Sequence, residues 1–388
     1  MPRKKICILT SVHPAFDVRI FHKEAKTLVN AGYEVTIIAQ YVRNETVDGI
    51  KIIALPKPRN RFCRFFSTFK VLKLALPIKV EIYHFHDPEL LPAALVLKLL
   101  GKKVIYDVHE DVPKSILSRD WLPKIIRKPV SILVNCFEKL SALRFDYLIT
   151  ATPSIKNNFK IHKVIDIKNY PIINSTLLKN KSRGLIYQAH GSDKSDPYKV
   201  RTKGCYTLIY AGGLERNRGI KEIIQATELI NPKYRIKLVL AGEFTNNNFQ
   251  EECQNLEGWK KTEFLGWLKY EEVFDYLLNA DIGFVCFYPE PNHIEALPNK
   301  LFEYMVAGLP VIASNFSLWK EIIEENRCGI TVNSLSPQEI AKAVEYLIAH
   351  PEEAKKMGEN GRKVVIEKHN WEIESKKLLK VYRELCAG

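Results

Sequence analysis

No apolar stretch of this 388-residue chain approaches the ~20 residues that cross a bilayer, so no membrane-spanning helix is expected. Arg3, Lys4 and Lys5 precede an apolar run, but His13 and Pro14 cut it too short for a signal peptide. The eight cysteines, at 7, 63, 136, 205, 253, 286, 328 and 386, include no Cys-x-x-Cys pair. That argues against a zinc site or a disulfide framework and fits a reducing cytosol. A Gly-x-Gly-x-x-Gly loop is missing after the first expected strand, and the nicotinamide-enzyme reading loses its main support. There is no Asp-x-Asp pair, and no histidine spacing resembles a metal cage, so neither a metal nor any other cofactor is expected.

What is present describes a globular chain, 46% hydrophobic and 26% charged. Its length exceeds what one core supports, and two α/β domains are expected, over 1–175 and 176–370, followed by a last helical segment over 371–388. The charge is one-sided. Residues 1–175 carry 29 Lys+Arg against 15 Asp+Glu, a net +14, whereas 176–388 carry 29 against 29. The excess implies an anionic partner for the first domain alone. Nucleic acid is not that partner, because no recognised binding module is present.

In the first domain Lys5–Thr10 reads as a buried strand, and residues from Arg19 to Ala31 have helical spacing closed by Gly32. Further strands are expected at 34–39, 50–55, 81–86, 103–108 and 146–151, alternating with helices, the pattern of a doubly wound parallel sheet. The loop after the first strand brings His13, Asp17 and Arg19 to its carboxyl end. Later strand ends carry His86 and His109. Residues 178–204 are polar and Gly/Pro-punctuated, a linker or surface loop.

In the second domain Tyr206–Gly213 reads as a strand running into Arg216, Arg218, Gly219 and a helix from Ile220 to Ile230. A cation and a glycine at a helix N-terminus make an anion site. The stretch Glu295-Ala-Leu-Pro-Asn-Lys-Leu-Phe-Glu303-Tyr-Met-Val-Ala-Gly308-Leu-Pro-Val-Ile then reads as loop, helix, turn and strand, with Asn299 as N-cap and Gly308 past the helix end. Its helix N-terminus suits a phosphate, and its two carboxylates suit paired hydroxyls of a ribose or sugar. The combination suggests a nucleotide sugar.

The Glu-x7-Glu spacing, with the Gly-Leu-Pro-Val-Ile that follows, resembles the donor site of retaining glycosyltransferases of family 4, of the GT-B fold and glycosyl transferases group 1. The resemblance covers nearly the whole chain. It implies two doubly wound Rossmann-like domains facing across a cleft, with the last helix crossing back to the first. His109, Glu295 and Arg218 are implied as catalytic. Glu303, Lys300, Arg216, Gly219, Asn299 and Leu297 are implied in donor binding, with Arg216 or Lys300 as second cation for the diphosphate. His13, Asp17, Arg19 and His86 fall on the acceptor side. The reaction implied is metal-independent hexosyl transfer from a nucleotide sugar to an oligosaccharide or lipid-linked acceptor. A GT-B-like sugar-nucleotide epimerase or phosphorylase, or a non-catalytic subunit of a polysaccharide assembly complex, are the alternatives.

From Lys57 to Lys79 the chain has Lys57, Arg59, Arg61, Arg64, Lys70, Lys73 and Lys79, no acidic residue, and interleaved Phe62, Phe65, Phe66, Phe69, Leu72 and Leu76. Residues 114–144 repeat the theme, with Trp121, Ile125, Ile126, Ile132 and Leu133 among Lys114, Lys124, Arg127 and Lys128. Two basic amphipathic segments in the charged half point to contact with an anionic membrane surface. The expected location is cytoplasmic, peripheral on the inner face of the cell membrane, in cell-envelope polysaccharide synthesis.

Overall fold

The computed structural model describes residues 3–58, 61–117, 122–159, 163–173 and 204–387, with the backbone alone over 61–65. Residues 178–203 of the linker expected at 178–204, the side chains of Arg61, Phe62, Arg64 and Phe65, and the residues Arg59 and Trp121 lie outside that description. The chain divides into two compact units, one of residues 1–169 with 371–388 and one of residues 170–370.

The first unit is an eight-stranded sheet of β1 (Lys5–Pro14), β2 (Glu34–Gln40), β3 (Glu45–Val47), β4 (Ile50–Leu55), β5 (Ile82–Phe85), β6 (Lys103–Val108), β7 (Tyr147–Thr150) and β8 (Val164–Asp166). Its order is β3-β4-β2-β1-β5-β6-β7-β8. All pairs are parallel except the edge pair of β3 with β4. Runs such as Ile6–Leu9 are buried on both faces because helices cover both sides, which is why they read as continuous apolar stretches. Helices α1 (Arg61–Ala75) and α2 (Lys124–Ala142) belong to this unit. So does the chain's last helix, whose Trp371, Leu378, Val381, Tyr382 and Leu385 join the core of Ile6, Ile37 and Ile82.

The segment expected as one helix from Arg19 divides. Val18–Ala25 is a π-helix, and only Lys26–Asn30 is α-helical. Asp17 caps the wide turn, accepting from the N–H groups of Arg19 at 2.8 Å and Ile20 at 3.0 Å. The extra width turns Arg19, Lys23 and Glu24 inward together, and π-turns of this kind cluster at functional sites.

The second unit is a parallel sheet of β9 (Cys205–Ala211), β10 (Arg235–Ala241), β11 (Thr262–Gly266), β12 (Ile282–Val285), β13 (Val311–Ser314) and β14 (Gly329–Val332), ordered β11-β10-β9-β12-β13-β14. Order reverses between β9 and β12, so the crevice for a ligand lies at the carboxyl ends of these two strands. Helices α3 (Ile220–Leu229) and α4 (Asn299–Ala307) begin there. Among the described residues no helix is long and apolar enough to cross a membrane.

Candidate active site

In the second unit two glycines fix the backbone that carries the cations. Gly212 has φ 125°, and a Cβ there would lie 2.8 Å from Lys300 Nζ. Gly219 has φ 71° at the close of the turn Arg216–Arg218, and a Cβ would meet the Cys286 carbonyl oxygen at 2.0 Å, so no larger residue fits. Arg218 is thereby set at the entrance of α3 with its guanidinium 4.4 Å from the Phe287 ring centroid. Lys300, in the first turn of α4, lies 5.1 Å from the same ring. It also donates to the Tyr210 hydroxyl at 2.6 Å, and that hydroxyl donates to the Gly213 carbonyl at 3.0 Å. Burial and the adjacent Arg218 charge hold the Lys300 ammonium well below the ordinary lysine range, against the pull of Glu303 and Glu215. An anion arriving between the two cations relieves both penalties.

Arg216 points elsewhere. It pairs with Glu252 and lies 4.7 Å over the Phe249 ring, so Lys300 and not Arg216 is Arg218's companion. The expected N-cap role of Asn299 also falls away. Pro298 is the cap residue, no side chain caps the first turn, and Asn299 is already helical, because proline before it favours an extended backbone ahead of the helix. Gly308 takes the left-handed C-cap, φ 73°, as its sequence position implies. Glu303 follows Lys300 by three residues on one face of α4 and is half-buried. Glu295 is exposed just beyond the short helix Pro291–Ile294, and Leu297 packs against the core. Trp267, at the carboxyl end of β11, is 66% exposed, so it is no core residue and offers a free ring face.

His293 is the residue that sequence reading missed. It is buried, with Nδ1 3.1 Å from the Tyr288 carbonyl, and its ring is 5.1 Å from Phe287. Burial and the nearby Arg218 keep its pKa below the usual range, which leaves it neutral as a donor to that carbonyl. Nothing in Pro-Asn-His-Ile signalled this, since the burial of the ring and the field of Arg218 come from tertiary packing.

The first unit gathers its polar residues into a buried cluster. Arg19, 3% exposed, grips Asp107 by three contacts of 2.8–3.1 Å, lies 2.9 Å from Glu24 and donates to the Ile167 carbonyl at 3.0 Å. Arg19, expected on the acceptor side, is thus buried and held by these partners. His86 is likewise buried, with Nδ1 2.8 Å from His109 Nε2, while His109 is partly open. His13 sits between Asp17 at 3.3 Å and Asp87 at 3.5 Å. Burial opposes its charge, but the bond to Asp17 and the field of Asp87 raise its pKa overall; Asp17, against burial that pushes it up, is pulled down to about 2 by the bonds from His13 and the Ile20 N–H. Glu24, His84, His86 and Asp107 bring ligand-type atoms within 4.8 Å of one another, a grouping the sequence spacing did not disclose. Arg19 already supplies the positive charge there, so the cluster does not require a cation.

Helix α2 is inside out. Its buried residues are Ser131, Glu138, Ser141 and Ala142, with Tyr106 donating to Glu138 at 2.7 Å, and burial pushes the Glu138 carboxyl up to about 7. Facing outward are Ile125, Ile132, Leu133, Phe137, Leu140 and Leu143, between 45% and 87% exposed. At 100° per residue they span about 140° of arc. On α1, Phe66 and Phe69 are exposed with Lys70 and Lys73, whereas Leu72 leans on the core instead of joining them.

Comparison with known proteins agrees with the architecture. Residues 18–172 match the model for Glycosyltransferase Family 4 and residues 193–364 that for Glycosyl transferases group 1. An uncharacterized glycosyltransferase of Methanocaldococcus jannaschii is 29% identical over 177 residues, 45% of this chain and 44% of that protein, so the match spans under half of that relative. The capsular polysaccharide biosynthesis glycosyltransferase CapM of Staphylococcus aureus is 24% identical over 79% of this chain and 83% of its own length. Sucrose-phosphate synthase from Thermosynechococcus elongatus superposes with TM-score 0.77 over 99% of this chain and 100% of that one, at 18% identity. Anabaena HepE in complex with UDP-glucose does so with TM-score 0.67, over 98% and 99%, at 13% identity. The chain therefore belongs to the glycosyltransferases of the GT-B fold, its first half matching family 4 and its second half group 1.

Proposed function

We propose that this protein transfers a sugar, with retention of anomeric configuration and without a metal, from a nucleotide-sugar donor to a glycan acceptor in cell-envelope polysaccharide synthesis. One observation carries the reading: Arg218 and Lys300 flank one Phe287 ring at the entrances of two helices, with Glu303 on the same helix as Lys300. Two fixed cations and two helix N-termini stabilise a leaving diphosphate as its charge develops. Glu303 holds the ribose and Glu295 the sugar hydroxyls, while the leaving phosphate takes the acceptor's proton. Trp267 offers its face to the nucleotide base. HepE with its bound UDP-glucose, and CapM by its role in capsular polysaccharide, support the substrate classes.

A screen of nucleotide sugars for binding and slow hydrolysis, read by mass spectrometry, tests the assignment. Hydrolysis of at least one is expected, undiminished in excess chelator, because protein cations do the work of a metal. Strict dependence on magnesium or manganese would sink the mechanism.

The acceptor is lipid-linked in this reading, and the protein works as a cytoplasmic enzyme on the inner membrane face. The outward apolar side of α2 lies among Lys124, Lys128, Lys139 and Arg144, which favours an anionic bilayer over a second, equally basic copy. Sedimentation with anionic liposomes should show binding that weakens with salt. Leu133→Ser with Leu140→Ser should reduce it at least tenfold, given about 1.5–3 kcal/mol for each fully buried side chain. Unchanged sedimentation of that variant, or no binding of wild type at low salt, rejects the membrane reading.

A further inference from the structure

Glu215 stands at the N-cap of the turn Arg216–Arg218, where a carboxylate ordinarily accepts from the first free N–H groups, yet it makes no such bond. The backbone ahead of it is fixed. Leu214 is buried, its N–H donates to the Glu243 carbonyl at 2.9 Å, and it bridges to Phe244. The carboxylate turns instead toward Arg218, with Oε2 3.9 Å from Nε, and its Oε1 lies 3.6 Å from where a Cβ on Gly213 would be. Its field also reaches Lys300, opposing the loss of charge that burial and Arg218 impose there, and it reaches His293 and the Tyr210 hydroxyl that accepts from Lys300.

The hydrogen-bond donors of the two cations are nevertheless left open. Arg218 gives none of its N–H groups to a hydrogen bond among the described residues, since 3.9 Å is too long for one. Lys300 gives one, to a neutral hydroxyl. Glu215 therefore offsets charge at a distance without using up the donors, which keeps two neighbouring cations tolerable in an empty site. An arriving diphosphate makes the hydrogen bonds that Glu215 does not, and the carboxylate, already more than a third exposed, has water to turn to.

We propose that Glu215 is the internal counter-ion of the diphosphate site, a positioning residue that holds Arg218 and Lys300 ready in the empty enzyme and, by repelling the bound diphosphate, hastens its release as product. The role rests on the reading that these two cations take the donor's diphosphate, and it belongs to a carboxylate outside the Glu-x7-Glu motif. Even through the dielectric of water, a carboxylate about 6 Å away repels each charge of a diphosphate, and two or more charges together make about tenfold in affinity.

The test is calorimetric titration of the full chain with inorganic pyrophosphate at pH 6.5 and low salt, without metal. Glu215→Gln keeps the shape and removes the charge, so it should bind pyrophosphate about tenfold more tightly than wild type, an advantage that shrinks as salt is added. Glu215→Asp keeps the charge and should bind as wild type does. With the nucleotide sugar that wild type hydrolyses fastest in the screen, Glu215→Gln should show a lower KM and no higher kcat, whereas a side chain needed only for the shape of the loop would raise KM when replaced. Binding by Glu215→Gln no tighter than that of wild type, while Arg218→Ala still loses binding, overturns the inference and leaves the donor site standing. Equal binding by Arg218→Ala and wild type, or none by either, overturns the donor-site reading and the inference with it.

Discussion

Replacing Arg218 by alanine should lower sugar transfer by about 100- to 1,000-fold, the equivalent of about 2.7–4 kcal/mol of transition-state stabilisation lost with one preorganised donor. The side chain's recorded contacts are the Phe287 face and a long approach of 3.9 Å to Glu215, and it is a third exposed, so the second unit should fold as before. Arg218→Lys should recover only part of the rate, because an ammonium neither stacks flat on Phe287 nor binds two phosphate oxygens at once. Glu303→Ala should fall in the same direction, its loss showing mainly as weaker donor binding if it holds the ribose. Turnover and circular dichroism measured on the same preparations separate a lost site from a lost fold. Wild-type turnover by the alanine variant at Arg218 would mean that the diphosphate binds elsewhere.

In the first unit the largest expected effect is on stability. Arg19→Met leaves Asp107 buried without its partner, a situation that costs about 3–5 kcal/mol when one member of a buried pair is removed. The loss should appear as a lower midpoint of chemical denaturation for that unit. Adding Asp107→Asn to the same chain should restore part of it, since the orphaned charge then disappears while its hydrogen-bonding shape stays. A loss under ~1 kcal/mol, the range of exposed ion pairs, would show that water reaches the pair.

The sequence by itself determined the parallel sheets, the Glu-x7-Glu motif and where the basic charge lies. Each of these is written in local order: continuous apolar strands between helices, a glycine where φ must be positive, Glu-x7-Glu at fixed spacing on one loop and helix. The π-helix was not legible, because its spacing of apolar residues passes for an ordinary helix until Arg19, Lys23 and Glu24 find partners inside. Which cation stands beside Arg218 was equally out of reach. Lys300 and Arg216 are separated by 84 positions in sequence, and only the approach of α4 to β9 brings one against Tyr210 and Phe287 while Glu252 draws the other away. The same holds for α2, whose composition suits a core-facing helix and whose apolar side nevertheless faces outward, since Glu138 is turned to Tyr106 and Ser131 and Ser141 are buried with it. Local periodicity fixes which residues share a face. Only tertiary packing decides which face is buried, because that depends on partners distant in the chain.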